Sequence, residues 1–124
     1  GGIDLKFQGN AYFSTGGTFK IVYGLTTFST LSSWRSSKAQ EMFGTMKTGF
    51  QGDPQLTNAG GGTAIYNTDF LSSLTAYKLK STSPLINTGL NLKTLFATDA
   101  GTRDYWGDAL PQRGGYDVGA DEVV

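Results

Sequence analysis

Ile3, Leu5 and Phe7 alternate with Asp4, Lys6 and Gln8. Period-two alternation of this kind places one apolar face on a half-buried strand. Gly9-Asn10 then signals a turn, residues 11–14 (Ala-Tyr-Phe-Ser) read as a second extended piece, and Thr15-Gly16-Gly17 breaks the chain again. Residues 18–23 predict a third strand, ended by Gly24. Short strands with glycine punctuation suit a sandwich, a barrel or a solenoid. The pattern changes over 30–41. Leu31, Trp34, Lys38 and Glu41 recur at helical spacing, and Ser29 or Thr30 can cap the start. A short helix is predicted there, with Trp34 on its buried face. Residues 44–67 lose periodicity around Gly52-Asp53-Pro54 and Gly60-Gly61-Gly62, which reads as an ordered surface excursion with short strands at most. Tyr77-Lys78-Leu79-Lys80 predicts a further strand with both lysines on its solvent face. Leu90, Leu92 and Leu95 form a last apolar patch, and from Asp99 the chain becomes a loop rich in aspartate and aromatics.

Composition narrows this picture. At 124 residues the chain reads as one domain. It holds 18 Gly, 10 Ser and 16 Thr but only 3 Pro, with 16 aromatic residues interleaved among them. No G-X-Y period exists, so collagen is excluded, and the aromatics argue against a flexible linker. The mixture favours β-structure with tight turns. There is no His and no Cys. Disulfides, Cys-containing zinc sites, thiol nucleophiles and a Ser-His-Asp triad within this chain are thereby excluded. Ten basic residues balance ten acidic ones, which argues against a nucleic-acid footprint. No apolar run approaches the roughly 20 residues of a membrane-spanning helix, so membrane insertion is not expected. The chain begins with Gly1 and shows no signal-peptide pattern, so the expectation is a processed chain or a piece of a longer one. Charge is split along the chain. Residues 1–98 carry eight basic and four acidic groups, net +4, whereas residues 99–124 carry two basic and six acidic groups, net −4. A tail of opposite sign can dock on the body, each exposed pair adding under about 1 kcal/mol.

Candidate chemistry concentrates in that tail. Asp99, Asp104, Asp108, Asp117, Asp121 and Glu122 raise Ca²⁺ as the one metal to weigh, but their spacing does not match a calcium-binding loop. Turn-forming and capping aspartates are the preferred reading, and no metal ligand is assigned. Paired carboxylates could cleave a glycoside, yet nothing selects one pair among the six. Trp34, Trp106, Tyr12, Tyr23, Tyr66, Tyr77, Tyr105 and Tyr116 could stack on sugar rings or fill a small core. Trp34 is read as core. Tyr105 and Trp106, beside Asp104, Asp108 and Gln112 in a polar loop, form the candidate carbohydrate-binding site. Gly60-Gly61-Gly62 and Gly114-Gly115 lack the flanking residues of phosphate loops and are read as turns. Lys78 and Lys80 could meet a polyanion such as a uronic-acid polymer; a solvated strand face is the preferred reading.

The order of these signals resembles a known family. Phe28-Ser-Thr-Leu-Ser-Ser-Trp34-Arg35 is similar to a helix near the end of secreted right-handed parallel β-helix, pectate-lyase-like bacterial proteins. Asp53-Pro54-Gln55-Leu56 follows as in those proteins, then residues 77–89 with Ser83-Pro84-Leu85-Ile86 and Gly89. The ending pairs Asp104, Gly107 and Pro111 with Gly115, Asp117, Val118, Gly119, Ala120 and Glu122. Upstream, residues 9–13 (Gly-Asn-Ala-Tyr-Phe) resemble the coil before the helix. The resemblance covers essentially the whole chain. It implies an all-β fold, C-terminal coils of a right-handed parallel β-helix with one short α-helix and a folded-back tail; a small β-sandwich is the alternative. Residues 1–29 would be coil strands, 30–41 the helix, 42–98 the excursion with further strands, and 99–124 the acidic aromatic tail. Trp34, Gly107, Gly119, Ala120 and Glu122 would be architectural.

The implied role is a non-catalytic capping and glycan-binding module of an extracellular or cell-surface carbohydrate-active or adhesive protein. The family keeps its catalytic groups in upstream coils, so no catalytic residue transfers and no cofactor is implied. Two alternatives stay open: a fragment of a polysaccharide lyase or glycoside hydrolase whose catalytic coils lie upstream, and a self-assembling surface protein. The expected partners are a polysaccharide and, at Ile3, Leu5 and Phe7, upstream coils or another chain.

Overall fold

The structure, a computed structural model, describes residues 5–62 and 67–124. They divide into two compact units, Gly1–Asp53 and Pro54–Val124.

The first unit carries the regular elements. Strands β1 (Ala11–Tyr12), β2 (Ile21–Tyr23), β3 (Thr26–Phe28), β4 (Met42–Phe43), β5 (Met46–Lys47) and β6 (Phe50–Gln51) surround helix α1 (Leu31–Lys38). β1 pairs with β6 in parallel, while β2–β3 and β4–β5 are antiparallel hairpins. Thr30 caps α1, its hydroxyl accepting from Ser33 N at 3.0 Å, and Gln51 Oε1 accepts from Leu31 N at 2.7 Å. These acceptors serve backbone N–H groups that a helix start leaves unpaired. Ala39 ends the helix in the left-handed region (φ 50°) and donates its N–H to Arg35 O. Glu41, also at φ 50°, lies beyond that stop and turns inward, so the helix ends short of 41.

Phe28, Leu31 and Trp34 form the buried apolar core, with Phe7, Tyr12, Ile21 and Tyr23 packed against it. The Trp34 ring meets Phe7, Tyr12 and Tyr23 at centroid separations of 5.3, 6.0 and 5.9 Å. Beside this core, Glu41 is 0% exposed. Its carboxylate accepts from Gly9 N, Asn10 N, Asn10 Nδ2, Tyr12 Oη and Thr48 Oγ1 at 2.6–3.3 Å. Burial first, then the bond to Glu41, raises the Tyr12 phenol far above its usual titration range. Gly49 (φ 71°) makes room for this carboxylate, since a Cβ there would stand 2.5 Å from Glu41 Oε2. Arg35 completes the junction by donating to the carbonyls of Thr48 and, at 2.8 Å, Gly49.

The second unit is mostly irregular. Leu56 and Leu79 form an isolated antiparallel bridge, Thr68–Ser73 and Thr75–Tyr77 are 3₁₀ turns, and α2 (Leu92–Phe96) is capped by the Asn91 side chain. Leu85 and Val118 are its buried apolar residues among those described, joined by Val118 N donating to Leu85 O at 3.0 Å.

The all-β, parallel β-helix expectation is therefore corrected. Among the described residues the strands are two or three residues long, in three separate two-stranded sheets, and no stack of coils is formed. A coil strand must run on to pair with parallel neighbours on both sides. Here the Gly24-Leu25 turn, with Gly24 at φ 64°, reverses the chain so that β2 pairs with β3 instead. The small β-sandwich fails on the same count, because two-stranded hairpins offer no broad faces to pack together. The strand expected at 77–80 is also absent. Tyr77 closes a 3₁₀ turn, and the Lys78 side chain turns to carboxylates rather than to solvent.

Candidate functional site

Asp104 organises the tail. Its N–H donates to Asp108 O at 2.8 Å, and its Oδ1 accepts from the N–H groups of Trp106 and Asp108 at 2.9 and 2.8 Å. Oδ2 accepts from Glu122 N at 2.9 Å. One carboxylate thus folds residues 104–108 into a turn and ties them to the chain end. This is the local backbone bonding at which aspartate excels. Tyr105 N donates to Ala120 O, and Gly107 O accepts from Arg103 at 2.6 Å. Glu122 is 2% exposed and spans two donors, Gln112 N at 2.6 Å and Asp117 N at 3.1 Å. Asp117 accepts from Asn87 N and Val123 N.

Asp121, 5% exposed, accepts from Leu79 N through Oδ2 and holds the Lys78 ammonium 3.5 Å from Oδ1. Asp108 reaches the same ammonium at 3.3 Å, and Lys78 lies 5.1 Å from the centroid of the Trp106 ring. Burial pushes the Lys78 ammonium toward deprotonation, but the hydrogen bond it donates to Asp108 and the charges of Asp121 and Asp108 outweigh it. The net result is a pKa above the usual lysine value.

A cleft of about 270 Å³ opens beside this turn. Arg103, Tyr105 and Tyr116 line it together with Leu90, Leu92 and Leu110. Tyr105 is 45% exposed and meets Trp106 edge-on, with ring centroids 4.8 Å apart and planes at 76°. Of the five residues expected to bind carbohydrate, Asp104 and Tyr105 line the cleft. The other three do not. Trp106 and Asp108 face Lys78, and Gln112 supplies its backbone N–H to Glu122. The cleft therefore offers one exposed ring, a second ring, an apolar wall and a guanidinium. The carboxylates in its wall, Asp104, Asp117, Asp121 and Glu122, each accept from backbone N–H donors. Among the described residues no group of three or more acidic side chains is arranged to hold a metal ion.

The remaining candidates lie elsewhere. Trp34 is buried in the first unit, where Tyr12 and Tyr23 pack on it rather than forming an open platform. Tyr77 is 40% exposed. Tyr66 and Ile3 lie outside the described residues; Leu5 is half exposed, and Phe7 packs on Trp34. Sequence reasoning misses the Lys78 cluster and the Glu41 centre. The opposite charge of body and tail is the one signal for the first. The partners of Glu41 at 9–12 and 48 follow no linear motif. Among the described residues no helix is long and apolar enough to cross a membrane. Comparison with known protein families, characterised proteins and solved structures finds no match to this chain.

Proposed function

We propose that this chain is a non-catalytic glycan-binding module of an extracellular carbohydrate-active or adhesive protein, and that it takes a polysaccharide at the cleft beside Tyr105. The observation that carries the reading is the half-exposed Tyr105 ring, set beside Tyr116 and an apolar wall in a cleft whose carboxylates are all engaged. Aromatic faces bury the C–H side of a pyranose, and Arg103 and the phenols offer donors to its hydroxyls. Tyr105 N donates to Ala120 O and Asp104 holds the adjacent Trp106 N–H, so the backbone that carries the ring is preorganised. Non-catalytic action is supported by the same bonds, because a general acid or base must be free to exchange its proton with a substrate.

The test is a glycan array probed with the labelled full chain, followed by titration of the best glycan against the Tyr105→Ala variant. Loss of a stacked aromatic is expected to weaken binding roughly tenfold or more. Failure of every glycan to retain the chain, or full affinity in Tyr105→Ala, would overturn the reading in favour of a structural or self-associating unit.

A further inference from the structure

The first unit carries a cleft of its own. Tyr12, Phe13, Ser14, Phe19, Gln51 and Gly52 enclose about 280 Å³, near the small end of ligand sites, which begin around 300 Å³. Room of this size suits one ring rather than an extended ligand. Phe13 leaves 48% of its surface exposed at the mouth, and Phe19 stands edge-on to Tyr12 with centroids 6.2 Å apart.

The walls are fixed by contacts that do not depend on a ligand. Tyr12 is held by its hydroxyl on Glu41 at 2.7 Å and by its ring on Trp34. Its carbonyl accepts from Gly52 N at 3.0 Å. Gln51 lines the cleft while its Oε1 accepts from Leu31 N, the first N–H of α1, at 2.7 Å, which fixes the side chain. Ser14 Oγ donates to Gly17 O and keeps its lone pairs as acceptors. Among the described residues no Asp, Glu, Lys or Arg lines the opening.

We infer that this cleft is a second binding site, for one uncharged hexopyranose ring of a glycan. Its C–H face would lie on Phe13 and Phe19, and its hydroxyls would meet Gln51 Nε2 and Ser14 Oγ. Two features select this occupant. The uncharged lining gives a charged ligand nothing to pair with, so a charged sugar would lose hydration without compensation. The exposed Phe13 ring beside the polar side chains of Gln51 and Ser14 offers a plane and hydrogen-bonding groups together, which a pyranose uses and a purely apolar side chain does not. The site is independent of the cleft beside Tyr105 and does not rest on that reading.

The experiment is an amide and side-chain NMR titration of the full chain with cellohexaose, laminarihexaose and mannohexaose. Hexagalacturonate and N-acetyltryptophanamide serve as charged and apolar probes. One of the neutral sugars is expected to shift the Gln51 side-chain amide and the Gly52 backbone amide saturably. Phe13→Ala should weaken this response roughly tenfold, and Tyr105→Ala should leave it intact. Gln51→Glu, which keeps the acceptor for α1 and removes the donor, should weaken it as well, and covers the case in which Phe13→Ala disturbs the fold. The inference is overturned if no neutral hexaose moves these resonances, or if only hexagalacturonate or N-acetyltryptophanamide does. It is equally overturned if both variants respond like the parent chain. Signals of Tyr105 and Gly119 report the other cleft separately, so one site can fail while the other stands.

Discussion

The two units hold themselves together by different means. The first is built on side chains: Phe28, Leu31 and Trp34 with a ring of aromatics around them. The second has Leu85 and Val118 as its buried apolar pair among the described residues. It relies instead on carboxylates that bind backbone N–H groups, with Asp104, Asp117, Asp121 and Glu122 each spanning distant stretches of chain. Glu41 shows the same device in the first unit, added to an apolar core rather than replacing one. The difference teaches that a chain poor in long strands can position loops in two ways. Apolar packing suits a segment that can hide a helix face, and charge-assisted bonds to the backbone suit a segment that cannot.

The largest effect should come from the core. Trp34→Ala removes a residue 2% exposed and in contact with three aromatic rings, and is expected to cost about 3–5 kcal/mol. Urea unfolding followed by amide NMR should show the signals of Ile21 to Gln51 collapsing first. If Val118 and Glu122 are lost at the same denaturant concentration, the contrast between the two units does not describe their stability.

Glu41→Gln comes next, at about 2–3 kcal/mol, because an amide nitrogen would face donors that need an acceptor. A thermal melt indistinguishable from the parent chain would mean that Glu41 fills space rather than organising residues 9–12. Asp104→Ala should cost about 1–3 kcal/mol in the second unit by freeing the N–H groups of Trp106, Asp108 and Glu122. Proton exchange at those three amides is the direct readout, and unchanged protection would contradict the stitching described above.

The smallest effect concerns alkaline pH. Lys78 and Tyr12 both titrate higher in the folded chain than at their ordinary values of 10.5 and 10.0. The folded state therefore binds their protons more tightly. Their contribution is fully present below about pH 10 and fades as pH rises through the folded values. Lys78→Met should flatten the alkaline fall in melting temperature for the second unit, and Tyr12→Phe for the first. A melting temperature that stays level above about pH 10 would argue that neither proton is linked to folding.

Part of the fold and of the candidate site is legible in the amino-acid order. Thr30, Leu31 and Trp34 stand at cap and core spacings, and the helix follows because those rules act within one turn. Tyr105 stands out as an aromatic ring in a polar loop, and the fold places it at a cleft. Trp106 carries the same signal in sequence, yet its ring lies against Lys78, 28 residues earlier in the chain. The β-helix expectation errs for a related reason. The run at residues 18–23 signals extended chain but does not name the partner strand, and a reversal at Gly24 makes it a hairpin.

The amino-acid sequence by itself determined what the chemistry could not include: thiols, imidazoles and any long membrane-spanning helix. It also determined where the chain must turn, because glycine and aspartate act through their own backbone. Only the tertiary structure decided which carboxylates were committed and which rings were open. A carboxylate looks the same in sequence whether it meets water or several N–H donors. That choice depends on groups brought together from tens of residues apart, as Glu41 with Gly9 and Asp121 with Leu79 illustrate.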